Sequence, residues 1–198
     1  MSQRAKTDHP VLDIVADRWS PYGYDPRPMS RDDLKSLFEA ARWAPSAFNE
    51  QPWRYIVAMR DDEAAFAKLL TCLVEPNQAW AKNASALVVS VASLNYVQNG
   101  KPNGTALHDM GLAAATLTAE ATSRGLQVHQ MAGILPDRAR DLYGIPEGYQ
   151  AVTALAIGYA ADPETLPDPL KERDTAPRQR KPLADIVFSG SWETAADL

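Results

Sequence analysis

ARWAPSAFNEQPWRYIVAM, residues 41–59, joins three kinds of chain in nineteen positions. Its first residues end an amphipathic helix. Pro45 stops that helix, because proline constrains the residue before it and has no N–H to donate. Ser46 and Asn49 supply short polar side chains that bond to nearby backbone or to a ligand. Trp53, Tyr55, Ile56 and Val57 are aromatic or β-branched and predict a strand. A polar loop held between two rigid elements is where binding sites are commonly built.

Upstream, Ser30 sits at an N-cap position with Asp33 in the capping-box place. Leu34, Leu37, Phe38 and Ala41 follow at i, i+3, i+4 and i+7, one face of the helix that Pro45 ends. Val11, Leu12, Ile14 and Val15 predict an earlier helix ending near Arg18, followed by the turn-rich run SPYGYDP at residues 20–26. Downstream, Phe66, Leu69, Leu70 and Leu73 repeat the helical spacing. LVVSVA at 87–92 predicts a buried strand, and residues 95–104, rich in Asn and Gly, a loop. The longest helical pattern covers 105–124, with Leu107, Met110, Gly111, Ala114, Leu117, Thr118 and Ala121 on its apolar face. Its remaining positions are so often alanine that deep burial is expected all round, with Gly125 as its cap. Short strands are expected at 126–129 and 151–157, with a helix after Pro136 between them.

Residues 162–182 carry five prolines and read as an extended tail; Ile186, Val187 and Phe188 could form a late strand. Such a tail has two readings, a loose linker or an arm that adds an edge strand to a partner. The order of elements predicts an α+β fold, with helices covering a mixed, mainly antiparallel sheet in three α/β/α layers. Residues 1–198 are expected to form one domain.

With 198 residues, 45% of them hydrophobic, and a net charge of -5, the chain has a full core's worth of apolar residues and no broad basic surface. Nucleic acid and membranes are therefore not expected as partners. The single cysteine, Cys72, excludes an internal disulfide and reads as a small buried residue. The polar N-terminus lacks an apolar signal core, so a cytoplasmic protein is expected. Three scattered His and one Cys give no metal spacing, and there is no GxGxxG, GxxxxGK[ST] or GxSxG motif.

The run PSAFNEQPW at 45–53 resembles the FMN-dependent nitroreductase family. Residues 18–25, 178–182 and, more weakly, 130–133 match the same family in the same order. The resemblance implies a three-layer nitroreductase-like fold and an intertwined homodimer, with residues 162–198 as an arm reaching the partner. It implies FMN as cofactor, with NAD(P)H as a transient hydride donor to flavin N5. Nitroaromatics, quinones or related conjugated electrophiles would be the small-molecule electron acceptors, in a ping-pong sequence. No side chain is assigned as acid or base, since the cofactor carries the redox step.

Residue by residue, Arg18, Trp19, Ser20 and Tyr22 resemble the family's N-terminal phosphate-binding signature. Read alone, Arg18 simply complements a helix C-terminus. Arg178 and Arg180 match a pair that holds the phosphate and ribityl end; in an extended segment both point to one side, although a basic tail of this kind is usually a solvated one. Pro45, Ser46, Ala47 and Asn49 would lie against the flavin ring, from the other subunit. Asn77 matches a position near the pyrimidine edge. Gln130 and Met131 lead to Ala132 and Gly133, whose N–H groups would face N5 and O4; the alternative there is an ordinary strand-end turn. Trp53 is expected in the core, and His129 in a structural role.

Two departures stand out. Positions that are often basic in relatives hold Tyr22 and Trp80 here, which predicts a lower flavin potential unless Arg54 or Lys82 compensates. Reductive dehalogenation within the superfamily, and a flavin-binding dimer without turnover, are the alternatives. The short 95–104 loop leaves little room for the lid that a dehalogenase would carry.

Overall fold

The computed structural model describes residues 4–198. Among the described residues, seven α-helices and four strands follow in this order: α1 (Asp13–Asp17), α2 (Arg31–Arg42), β1 (Trp53–Met59), α3 (Glu63–Leu70), α4 (Glu75–Ala81), β2 (Ala86–Ser93), α5 (Ala106–Ser123), β3 (Gln127–Met131), α6 (Pro136–Tyr143), β4 (Tyr149–Gly158) and α7 (Asp168–Thr175).

The strands form one sheet in the order β1-β2-β4-β3. Each of its three pairings is antiparallel, so within the described residues the sheet is wholly antiparallel instead of mixed. β2 is buried at every position, as its continuous apolar run requires. Its alternate residues serve two cores. Leu87, Val89 and Val91 pack with Phe66, Leu69, Leu73 and Trp80 from the side of α3 and α4. Ala86, Val88 and Ala92 pack with Leu34, Leu37, Met110, Ala113 and Leu117 of α2 and α5. This gives the three α/β/α layers expected from sequence. An irregularity in the β2–β4 register passes over Val152 and keeps both faces of β4 apolar beyond it.

Local signals explain the boundaries. Ser30 caps α2, its Oγ accepting the Asp33 N–H at 2.9 Å. Gly125 follows α5 at φ +74°, where the Leu126 N–H turns back to the Ala121 carbonyl.

Three expectations need correction. α5 is not buried all round: Leu107 is 50% exposed, and Gly111 and Ala115 are also open to solvent. Its buried face is the one defined by Met110, Ala113, Ala114, Leu117 and Ala121. The 162–182 segment is not extended throughout either. Asp162 caps a 3-10 turn at Pro163–Thr165, and α7 follows. Ile186 to Phe188 does not join the sheet. Phe188 bridges Ala195 in a small hairpin that folds on itself. Among the described residues no helix is long and apolar enough to cross a membrane.

Candidate active site

Three guanidinium groups gather at the β3 edge of the sheet. Arg18 follows α1 directly, and its Nη1 donates to Ser20 Oγ at 3.2 Å. Arg178 comes from the far end of the chain and donates from Nη1 to the Ala16 carbonyl at 2.9 Å, which fastens the arm to α1 at that point. Burial pushes the Arg18 guanidinium below its ordinary value, and the nearby charges of Arg178 and Arg180 push the same way. Burial and then Arg180 lower Arg178 likewise. Among the described residues no carboxylate forms an ion pair with Arg18. Crowded guanidinium groups beside a hydroxyl offer forked donors that suit a phosphate. Trp19 is buried, and its N–H donates to Gln127 Oε1 at 3.1 Å, fixing the turn against the start of β3.

The two uncharged departures meet each other. Tyr22 packs edge-on to Trp80 with ring centroids 5.1 Å apart, and to His129 at 4.7 Å. Trp80 is 2% exposed and lies 4.4 Å from the His129 ring. Arg173 of α7 covers the Tyr22 ring at 4.9 Å. His129 Nδ1 lies 2.9 Å from the Pro21 carbonyl, and burial holds its pKa below the ordinary histidine value. Neither proposed compensator joins this cluster. Arg54 donates to the Gln51 and Trp53 carbonyls on the opposite edge strand, and Lys82 is exposed after α4.

Asn77 and Gly133 are in contact. Asn77 Nδ2 donates to the Gly133 carbonyl at 3.1 Å, and the Val74 N–H donates to the same oxygen. A Cβ at position 133 would stand 2.6 Å from Asn77 Nδ2 and 2.8 Å from Val74 Cγ2. The close approach that requires glycine here is therefore to α4. Met131 is buried at the end of β3, Ala132 is exposed, and Gln130 donates to Thr118 Oγ1 at 3.2 Å.

The loop after α2 lies elsewhere. Phe48, Asn49 and Gln51 all take positive φ, at 55°, 56° and 52°. Left-handed backbone costs a residue with a Cβ about 1–2 kcal/mol. The loop is clamped to hold that shape. The Gln51 N–H donates to Ser46 Oγ at 3.0 Å, and the Ala47 N–H donates to the buried Asp109 carboxylate of α5 at 3.1 Å. Glu50 Oε1 accepts the Val97 N–H at 2.7 Å, tying in residues 95–102. Those residues form a small hairpin closed by an Asn95–Pro102 bridge. Pro45 and Asn49 are exposed, and Trp53 is buried as expected.

Within one chain, then, Arg18, Ser20, Arg178 and Arg180 come together, as do Asn77 and Gly133. The 45–49 loop does not join them. It precedes β1, whereas the arginines flank β3, and three strand spacings, roughly 14 Å, separate those edges. Sequence reasoning missed Asp174, which is 2% exposed and accepts both the Tyr22 and Gly23 N–H groups. It also missed Asp109 and Glu50, whose partners are backbone N–H groups distant in sequence.

Comparison with known proteins identifies the family. The chain is 25% identical over 232 residues to the major NAD(P)H-flavin oxidoreductase of Aliivibrio fischeri, covering 90% of this chain and 98% of that one. It is 36% identical over 126 residues to an uncharacterized 15.4 kDa protein of Mycolicibacterium smegmatis, covering 62% and 82%. Among solved structures, an oxidoreductase containing FMN superimposes with a TM-score of 0.89 at 38% identity, over 95% of this chain and 96% of that one. The profile described as the nitroreductase family matches residues 15–159, nearly the whole sheet and its helices, and the chain belongs to that family.

Proposed function

We infer that this chain is an FMN-dependent oxidoreductase that takes hydride from NAD(P)H and reduces small conjugated electrophiles such as nitroaromatics and quinones. The observation that carries this reading is the gathering of Arg18, Ser20, Arg178 and Arg180, residues from both ends of the chain, into one cationic cluster. That donor set fits a phosphomonoester. When bound, FMN supplies hydride acceptance and donation. The chain's own part is to bind and orient. The arginines neutralise the phosphate, Asn77 braces the Gly133 turn, and the packed Tyr22, Trp80 and His129 rings support the turn that follows Ser20.

The working unit in this reading is a homodimer with two sites at its interface, the 45–49 loop of each copy completing the site of the other. Support comes from the separation of the loop and the arginines, and from exposed apolar residues on neighbouring α1 and α5: Leu12 at 71%, Val15 at 54% and Leu107 at 50%. Residues 1–198 act as one domain. Of the 162–198 arm, Asp174 and Arg178 are fastened to their own chain. The exposed remainder, with Leu183, Ile186 and Trp192, is the part available to the second copy. NAD(P)H is drawn from the cytoplasm.

A flavin-binding dimer without turnover is the second reading, favoured only by the absence of charge at Tyr22 and Trp80. The visible spectrum of the purified protein, before and after anaerobic NADPH or NADH, separates the two. A flavin band that bleaches supports the oxidoreductase, and a flavin band that persists supports the binding dimer. A protein that is colourless and takes up no added FMN overturns both.

A further inference from the structure

Phe48 holds a strained conformation in the clamped loop that little packing among the described residues repays. It is a bulky residue at φ +55°, yet its ring is 83% exposed. Its ring contact is edge-on to Tyr96, with centroids 5.9 Å apart. The backbone around it is fixed on three sides, by Asp109 on the Ala47 N–H, by Ser46 on the Gln51 N–H and by Glu50 on the Val97 N–H. Tyr96 is held as firmly. Its N–H donates to the Lys101 carbonyl at 2.8 Å, and its own carbonyl accepts the Gly100 N–H at 2.8 Å. Two loops thus converge on a pair of roughly perpendicular rings, at 78°, the Phe48 ring exposed and Tyr96 half-buried. An outlier of this kind at a loop tip points to a task outside the protein's own packing.

We propose that Phe48 and Tyr96 form an aromatic wall that selects planar, conjugated electron acceptors over compact ones. The inference rests on the reading that the 45–49 loop faces the cofactor of the other subunit. Perpendicular rings offer a flat guest one face and one edge at once, the two arrangements in which aromatic rings attract. A charged octahedral acceptor has no π-face to offer either ring. The wall discriminates by binding, so its signature is a change in the ratio of acceptors.

The test compares 1,4-naphthoquinone with ferricyanide in the FMN-loaded dimer. NADPH and one proton convert the quinone to its hydroquinone and NADP+. The same NADPH reduces two ferricyanides to ferrocyanide and releases a proton. The variants are Phe48→Asn, which keeps a residue tolerant of positive φ while removing the ring, and Tyr96→Ser. The expected result is that the ratio of kcat/KM for the quinone to that for ferricyanide falls roughly five-fold in each variant, mainly through KM for the quinone. A ratio within two-fold of the parent in both variants, while NADPH still bleaches the flavin, overturns the proposal and leaves the oxidoreductase reading intact. A variant that elutes as a monomer with an unchanged ratio also overturns it, assigning the ring to packing between copies. Failure of NADPH and NADH to bleach the parent's flavin would instead sink the underlying reading and the proposal with it.

Discussion

The Asp174 carboxylate accepts the Gly23 N–H at 2.9 Å across 151 residues of chain, and the neighbouring Tyr22 N–H at 2.8 Å with its other oxygen. One buried side chain therefore ties α7 to the turn that follows Ser20. Asp174→Asn puts an amide NH2 where one of those donors needs an acceptor, and a loss of about 1–3 kcal/mol is expected. The pH dependence identifies the cause. Burial raises the Asp174 pKa, so the native state holds that proton more tightly than the unfolded chain does. The resulting stabilisation is present below the ordinary aspartate range and is lost as pH rises through the raised value. The gap in Tm between wild type and variant should be wider near about pH 4 than near about pH 8. A gap that does not change with pH would contradict this.

His129 works in the opposite sense. Burial lowers its pKa, so the unfolded chain takes up the proton first as pH falls. Its contribution to stability is complete above the ordinary histidine value and declines as pH drops below it. His129→Phe keeps an aromatic ring against Tyr22 and Trp80, and should flatten the slope of Tm between about pH 7 and pH 5.

Arg180→Ala should weaken FMN binding roughly ten- to hundred-fold, the range for one lost charge-assisted contact. The apoprotein should melt no lower than wild type, because the change removes a charge that opposes Arg18 and Arg178. Flavin fluorescence titration and a melt of the apoprotein check both halves. An unchanged affinity would take Arg180 out of the site.

Gly133→Ala forces its Cβ against Asn77 and Val74. A destabilisation of about 1–3 kcal/mol is expected from the overlap. Adding Asn77→Ala removes one of the two clashing groups, so the double variant should lose less than the sum of the singles. Strict additivity in urea melts would show that the two residues do not meet.

Tyr22→Arg restores positive charge at a position that is aromatic here and lies against Trp80 and His129. A potentiometric titration should show the flavin potential of this variant above that of the parent, because a nearby cation stabilises the anionic reduced form. A potential at or below the parent's would place Tyr22 too far from the ring to matter.

What was legible in the sequence followed local rules. The 87–92 apolar run fell within β2, the Ser30–Asp33 cap opened α2 as written, and Gly125 ended α5. The meeting of Arg18 with Arg178 and Arg180 was legible only through the family resemblance, since their residue types alone read as a helix C-terminus and a solvated tail. What was missed depends on distance. Asp174 looks like a solvated charge in the polar run DPLKERDT, and its burial becomes visible only when that helix docks on the Tyr22 turn. α5 misled because alanine fits an interior and an open face equally well, so its composition did not say which side Leu107 and Gly111 would take. The positive φ of Phe48 has no sequence signal at all, since glycine or asparagine would be expected there.

The placement of the 45–49 loop and the arginine group on opposite edges of the sheet has a genetic corollary. In the proposed dimer, each site draws one half from each copy. Mixing an Arg180→Ala chain with a chain altered in the loop would produce hybrid pairs. In each pair one site carries both lesions and the other carries none. Random reassociation of equal amounts should return about a quarter of all sites to the unmutated form. At FMN concentrations too low to fill the weakened sites, two poorly active proteins would thus regain activity on being unfolded and refolded together, a complementation that a site built within one chain cannot show.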